Sequence, residues 1–453
     1  MGWMSVDEVN QKIQSVAGIQ LSRWPVSKVQ PEEFKLGSSP SNWTGGGGAG
    51  SYLKRRSYDI NAIKIPSRVR THRYEGSLDH LSVIITGNVL GNELIGPEAS
   101  LHFAELFLNA VKGYQQIDSS QQTTNYIPAQ DISIGQYTID HADLEQILEK
   151  LNIWVVPMVN PGGRDEQLYQ QTVSKRTFGT LGGSLYAGRP NPNGVCLNRN
   201  FDIAWHFKKL FNESPGWRSF LNSMDANQFD PSDPAMNYQG KNPESEPETK
   251  AIAELLCQNV QSPGTVGDPS ITWLFDIHGQ DATYSKASYP WSWAENQTYD
   301  AGMCIGNPYY NPTPPPVREG FVQTPGAYKE YLPQKTADQL QDLAEIFTDA
   351  AKQGHISIWQ QPTQGSSPAH GAAAFPCVGA IDDYFLWQDR NHCRAFTIEC
   401  SYLQPPGAMK DHEMDEVAAG LFAAIKQIKD WVAASSNPQQ ELSRLSTDQL
   451  TCP

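Results

Sequence analysis

Residues 81–86 place Leu81, Val83, Ile84 and Ile85 in one short run broken only by Ser82, so that a strand here is apolar on both faces. Such a strand needs cover on both sides, which is the situation of a largely parallel sheet with helices packed against it. The next segment supplies a helix. Pro97 suits a first turn, and Leu101, Ala104, Phe107, Leu108 and Val111 then fall on one stripe at helical spacing. The unit repeats down the chain. Residues 144–151 read as helix and 153–159 as strand, Ser245 and Glu248 form a capping box ahead of Ile252, Leu255 and Leu256, and residues 271–277 and 394–400 read as two further strands. A last helix carries Met414, Val417, Leu421, Ile425, Ile428, Trp431 and Val432 on an apolar face broad enough to cover a sheet. This alternation predicts an α/β fold, a three-layer α/β/α arrangement around a mixed, mostly parallel twisted sheet.

At 453 residues the chain could hold two or three domains, but an α/β enzyme with large loops can use most of that length in one. Apolar residues at helical spacing over 6–17 and an alternating strand over 58–65 flank a glycine-rich run at 45–50, which reads as a linker. The expected organisation is an N-terminal extension or subdomain over 1–75, a main domain over 76–436 and a tail over 437–453. Two stretches, 179–194 and the Tyr/Pro-rich region 280–321, read as long loops of the kind that frame a binding mouth or merely decorate a surface.

Composition excludes some partners. A net charge of −15 disfavours nucleic acid and anionic membranes, both of which need a basic face. No stretch approaches the ~20 consecutive apolar residues of a membrane span. The first residues lack the basic start and apolar core of a secretion signal, which points to a cytoplasmic rather than a secreted protein. Seven cysteines (Cys196, Cys257, Cys304, Cys377, Cys393, Cys400 and Cys452) show neither paired ligand spacing nor a disulfide framework, and are expected mostly reduced and buried. Cys377 and Cys400 adjoin the motifs described next, where packing is a better reading than thiol chemistry.

The polar residues that close the apolar runs are the informative ones. Thr86 to Glu98 includes Leu90, Asn92 and Glu93 just after the first buried strand. Then come Asn160, Pro161, Gly162 and Gly163; Asn198, Arg199, Asn200 and Phe201; Ser245, Glu246, Pro247, Glu248 and Thr249; Asp276, Ile277 and His278; and Phe396, Thr397, Ile398 and Glu399. Singly each is weak, but in this order they are specific. Together they resemble the carboxypeptidase A-like zinc metallocarboxypeptidases from about residue 81 to the C-terminus. The first of these segments is similar to that family's His-x-x-Glu zinc motif, with Leu90 in the histidine place.

The resemblance implies a reaction and a site. It implies one zinc ion held by Glu93 and His278, Glu399 as general base and then proton donor, and Arg176, with Lys175 beside it, steadying the oxyanion. Asn198 and Arg199 resemble the pair that clamps a substrate's C-terminal carboxylate, for which a guanidinium fork is well suited. Phe375 stands where the family has a mobile tyrosine, and Asp382 where members that prefer C-terminal Lys or Arg have an aspartate. Asn92 replaces a family arginine. The implied partner is a peptide or acylated amino acid with a free C-terminal carboxylate, and the implied reaction is hydrolysis of its terminal amide. Leucine has no lone pair, so Leu90 leaves the zinc triad one ligand short. The alternative is a pseudoenzyme that binds carboxylate-terminated peptides without zinc. A third is changed, metal-free chemistry with Glu399 as an acid/base. His102 and His370 carry no spacing that assigns them to the site.

Overall fold

The computed structural model describes residues 2–21, 30–41, 56–67, 82–112, 114–118, 123–127, 130–174, 188–202, 238–259, 272–279, 286–289, 334–354, 363–364, 380–388, 393–400 and 408–434. At the centre stands β3 (Ser82–Gly87), buried along its whole length as its apolar run requires. It pairs in parallel with β8 (Asn152–Val156) on one side and β9 (Thr272–Gly279) on the other, and β9 pairs in parallel with β12 (Cys393–Cys400). These four strands have their C-terminal ends on the same edge. The sheet is completed on one flank by β1 (Glu32–Ser38) and β2 (Asp59–Ile65), both antiparallel additions. On the other flank stand β10 (Lys286–Tyr289), antiparallel to β12, and β11 (Thr363–Gln364), parallel to β10. The order is β1-β2-β8-β3-β9-β12-β10-β11. Two hairpins stand apart from it, β4 (Tyr114–Asp118) with β5 (Thr123–Ile127) and β6 (Ile132–Ile134) with β7 (Tyr137–Ile139).

The N-terminal part belongs to the same core. Helix α1 (Val6–Ala17) starts at a capping box in which Ser5 and Glu8 each satisfy the other's backbone, and it buries Val6, Val9, Ile13 and Val16. These side chains join one hydrophobic cluster with Ile60 and Ile63 of β2 and with the central strands.

Helix α2 (Ile95–Val111) follows β3 and packs against β3, β8 and β9. It meets α8 (Ala408–Ala434) through Phe103 and Phe107, whose rings lie 4.8 and 6.4 Å from that of Phe422. Helices α3 (His141–Lys150), α4 (Pro161–Ser174), α5 (Pro247–Asn259), α6 (Gln334–Gly354) and α7 (Ile381–Gln388) complete the described set.

Two expectations need correction. Residues 286–289, read as loop, form strand β10, because the backbone of β12 offers an unpaired edge that composition cannot reveal. Helix α5 starts at Pro247, so its N-cap is Glu246 rather than Ser245, and the Ser245 hydroxyl donates to Glu246 Oε1 and accepts from Asn200 Nδ2. Among the described cysteines Cys196, Cys393 and Cys400 are free and buried, as expected of most, and Cys257 is disulfide-bonded.

Candidate active site

The parallel strands end in a row of polar side chains. Thr86 of β3, Asp276 of β9 and Thr397 of β12 are in register, and one step onward His278 and Glu399 stand side by side on β9 and β12. Side chains two apart on a strand share a face, so Asp276 and His278 work together. The Thr86 hydroxyl donates to Asp276 Oδ1 at 2.6 Å, and Asp276 Oδ2 lies 2.5 Å from His278 Nε2. That contact turns His278 Nδ1 toward Glu93, whose Oε2 is 2.8 Å away and also accepts from Gly279 N at 3.0 Å. His278 is fully buried, which disfavours its charged form, but carboxylates on both sides outweigh the burial and hold it well above the usual histidine range.

Glu93 reaches this position on a tight turn. Asn88 adopts φ 57°, a left-handed conformation that asparagine tolerates, and its Nδ2 donates to the carbonyls of Leu90 and Glu93 at 2.9 and 3.0 Å. Glu93 N returns to Leu90 O at 3.0 Å. Leu90 itself is buried, 4% exposed.

A backbone junction then brings in a cation. Gly91, Gly163 and Gly188 come from three separate segments and touch main chain to main chain: a Cβ on Gly188 would lie 2.2 Å from Gly163 O, and one on Gly91 2.3 Å from Gly188 O. Only glycine permits that approach. The next carbonyl, that of Arg189, accepts from Gly91 N at 3.3 Å and from Asn160 Nδ2 at 3.2 Å. Arg189 is thereby carried to Glu93, with Nη1 4.0 Å from Glu93 Oε1. Sequence reasoning missed this residue. Its stretch read as loop, and the signal that could have found it is the Gly188-Arg189 pair shortly before Asn198.

Asn198 and Arg199 are scaffolded from beneath. Asn198 and Arg199 lie in a short 3-10 turn, both about nine-tenths buried. Asn198 Oδ1 accepts from Ile381 N at 2.9 Å, which ties the clamp to the start of α7 and leaves its amide NH2 end to face elsewhere. Asn200 Nδ2 donates to Gln239 O, Asn242 O and Ser245 Oγ, and its Oδ1 accepts from Glu246 N. Asn191 Nδ2 donates to both Glu246 Oε2 at 2.7 Å and Glu248 Oε2 at 3.1 Å. Burial, followed by the neighbouring Glu246 charge, pushes Glu248 up to about 8, with bonds from its own backbone and from Asn191 opposing the shift, so it carries a proton at neutral pH.

The structure thus brings Glu93, His278 and Glu399 together with Arg189, and sets Asn198 and Arg199 against α7. Asp382, at the start of α7, accepts from Thr397 Oγ1 at 3.1 Å, beside the same row. Arg176, Lys175, Phe375, Cys377 and His370 lie outside the described residues. Asn92 is buried in the Glu93 turn, and His102 bonds Asp415 of α8 at 2.7 Å rather than reaching the site. Cys400 is fully buried, and that burial, with Glu413 and Glu399 near, raises its thiol far above the usual range, as a packing residue requires.

Comparison with known proteins decides the family, for the zinc carboxypeptidase (peptidase M14) family model matches residues 55–424. The chain belongs to the zinc carboxypeptidase family. Among solved structures it is similar to thrombin activatable fibrinolysis inhibitor, with 15% identity over 95% of this chain and 77% of the other, at a TM-score of 0.51. It is similar also to the carboxypeptidase A of Helicoverpa armigera, with 13% identity over 96% and 75%, again at 0.51. Likeness at that identity shows the fold. No curated protein matches the sequence.

Family membership implies zinc, and the donor set tests it. Zinc at about 2.0–2.2 Å from a nitrogen and an oxygen, in tetrahedral geometry, keeps those donors roughly 3.3 Å apart. Glu93 Oε2 and His278 Nδ1 stand instead at 2.8 Å, in direct contact. Leu90, which has no donor atom, stands where the resemblance implies the third ligand, and among the described residues no group of three or more His, Cys, Asp or Glu side chains is arranged to hold a metal. The described residues do not make the three-ligand zinc site that the resemblance implies.

Proposed function

We propose that this member of the zinc carboxypeptidase family binds peptides or acylated amino acids by their free C-terminal carboxylate, and does so without zinc. One observation carries the reading: Leu90 occupies the ligand place while Glu93 and His278 close on each other at 2.8 Å. What remains is a recognition surface. Arg199 offers a planar fork for a carboxylate, Asn198 an amide NH2 end, and Arg189 a second guanidinium at the strand ends, where ligands of open α/β sheets bind. Glu93, Asp276 and Glu399 supply negative charge at the same strand ends, and Asp382 supports a preference for a basic terminal residue.

Equilibrium binding tests this directly. Hippuryl-arginine and hippuryl-phenylalanine are compared with their C-terminal amides, in chelator and in zinc. Binding that ignores chelator, and falls at least tenfold on amidation and on Arg199→Met, is the expected outcome. Stoichiometric zinc in the purified protein, or binding abolished by chelator, would refute the metal-free reading. If hippuryl-phenylalanine binds as well as hippuryl-arginine, the role given to Asp382 falls.

A second reading is retained hydrolysis, with Glu399 as the general base and Arg176 at the oxyanion. The position of Glu399 beside His278 favours it. It predicts release of free arginine from hippuryl-arginine that Glu399→Gln abolishes.

A further inference from the structure

Behind the Glu93 turn lies a buried charge cluster that no part of the ligand site uses. Arg164, in the first turns of α4, has no exposed surface, and Nη1 donates to Leu94 O at 3.0 Å, the carbonyl directly after Glu93. Its Nη2 reaches Glu98 Oε1 at 3.3 Å, and its Nε and Nη2 both donate to Met4 O, at 3.1 and 2.8 Å. Glu98 Oε1 also accepts from Met4 N at 2.7 Å, and Glu98 Oε2 pairs with Lys410 of α8. Lys410 in turn donates to Gly2 O at 3.2 Å and sits 4.8 Å from the centre of the Trp3 ring.

One carboxylate therefore faces two cations. The charge left over is solvated by backbone carbonyls, two of which come from residues 2–4. A buried cation is expensive unless its donors are satisfied, so the seat of that short arm and the seat of Arg164 stand or fall together.

We propose that Arg164 is a positioning residue: it fixes the carbonyl of Leu94, and with it the orientation of Glu93, and the arm of residues 2–4 holds it in place. Withdrawing the arm removes two of the four hydrogen bonds made by the guanidinium and one acceptor of Lys410. The Glu93 turn then loses its support from behind while Asn88 still grips it from within. The ligand site is in this way coupled to a segment ninety residues away in sequence. The coupling bears on ligand affinity only because Glu93 belongs to the site proposed above.

Hydrogen exchange followed by mass spectrometry separates this from general loss of stability. Deletion of residues 1–4, which leaves Ser5 as the first residue and no carbonyl before it, and, separately, Arg164→Met in the full chain are expected to speed exchange over 88–96 at least tenfold. Exchange over 393–400, in β12, stays as it was. Arg164→Lys, which keeps the charge but not the fork, falls between. Should the deletion leave 88–96 unchanged, or speed both segments equally, the coupling is refuted; because the deletion leaves α1 and its Ser5 cap intact, it decides the matter even if Arg164→Met does not fold. The same variants are expected to weaken hippuryl-arginine binding at least tenfold. If the intact protein does not bind hippuryl-arginine, the function proposed above fails, and the exchange result alone judges the role of Arg164.

Discussion

Replacing Glu248 with glutamine isolates the thermodynamic cost of a buried carboxyl under the clamp loop. Glu248 has no exposed surface, its Oε2 accepts from Asn191 and its Oε1 has no hydrogen-bond partner among the described residues. Burial raises it from 4.5 to about 8. Because the folded value lies above the unfolded one, the folded chain keeps this proton through a range in which the unfolded chain has already released it. Stability is therefore drained as pH rises from about 4.5 to about 8 and is level beyond that. A separation of about 3.5 pH units at 1.36 kcal/mol each makes the full effect roughly 5 kcal/mol, about 1.4 kcal/mol per pH unit along the slope.

Glutamine has nearly the same shape, keeps an oxygen for Asn191 and cannot ionise. The assay is urea unfolding of wild type and Glu248→Gln at whole pH values from 5 to 9, at constant ionic strength, read by tryptophan fluorescence and circular dichroism. Every other titrating group cancels in the difference between the two proteins, provided it does not couple to position 248. The variant should gain on the wild type steadily between pH 5 and 8 and no further above it. Two curves that run parallel within about 1 kcal/mol across that range would refute the reasoning, since Glu248 would then be ionised, or neutral, in both states alike.

Leu90→His should create a third metal ligand beside Glu93 and His278, and zinc titration against a competing chelator is expected to show tight one-to-one binding that the wild type lacks; an unchanged affinity would mean that the turn no longer points position 90 at them. Gly188→Ala should cost about 1–3 kcal/mol through the main-chain clash at Gly163, with a further loss of hippuryl-arginine affinity as Arg189 shifts. Phe422→Ala empties the contact between α2 and α8 and is expected to lower unfolding free energy by about 3–5 kcal/mol without altering ligand affinity.

The sequence was enough for the parts of the fold whose cause is local. The run at 81–86 could only be a strand buried on both faces, and the stripe from Leu101 to Val111 could only be an amphipathic helix over it. The site was legible to the extent that its residues end such elements: Glu93 follows β3, His278 and Glu399 close β9 and β12, and chain order supplied the family resemblance.

What the sequence left open depends on contacts between segments far apart. Strand β10 exists because β12 has an edge to pair with. Arg189 joins the site through three glycines from three segments, and Arg164 is held by a carbonyl 160 residues away. That Leu90 itself cannot bind a metal could be read at once, since a hydrocarbon donates no electron pair. Only the tertiary structure shows that Glu93 and His278 stand in hydrogen-bond contact: which partner a buried charge takes is decided by what stands within about 3 Å of it, and that distance is set by packing.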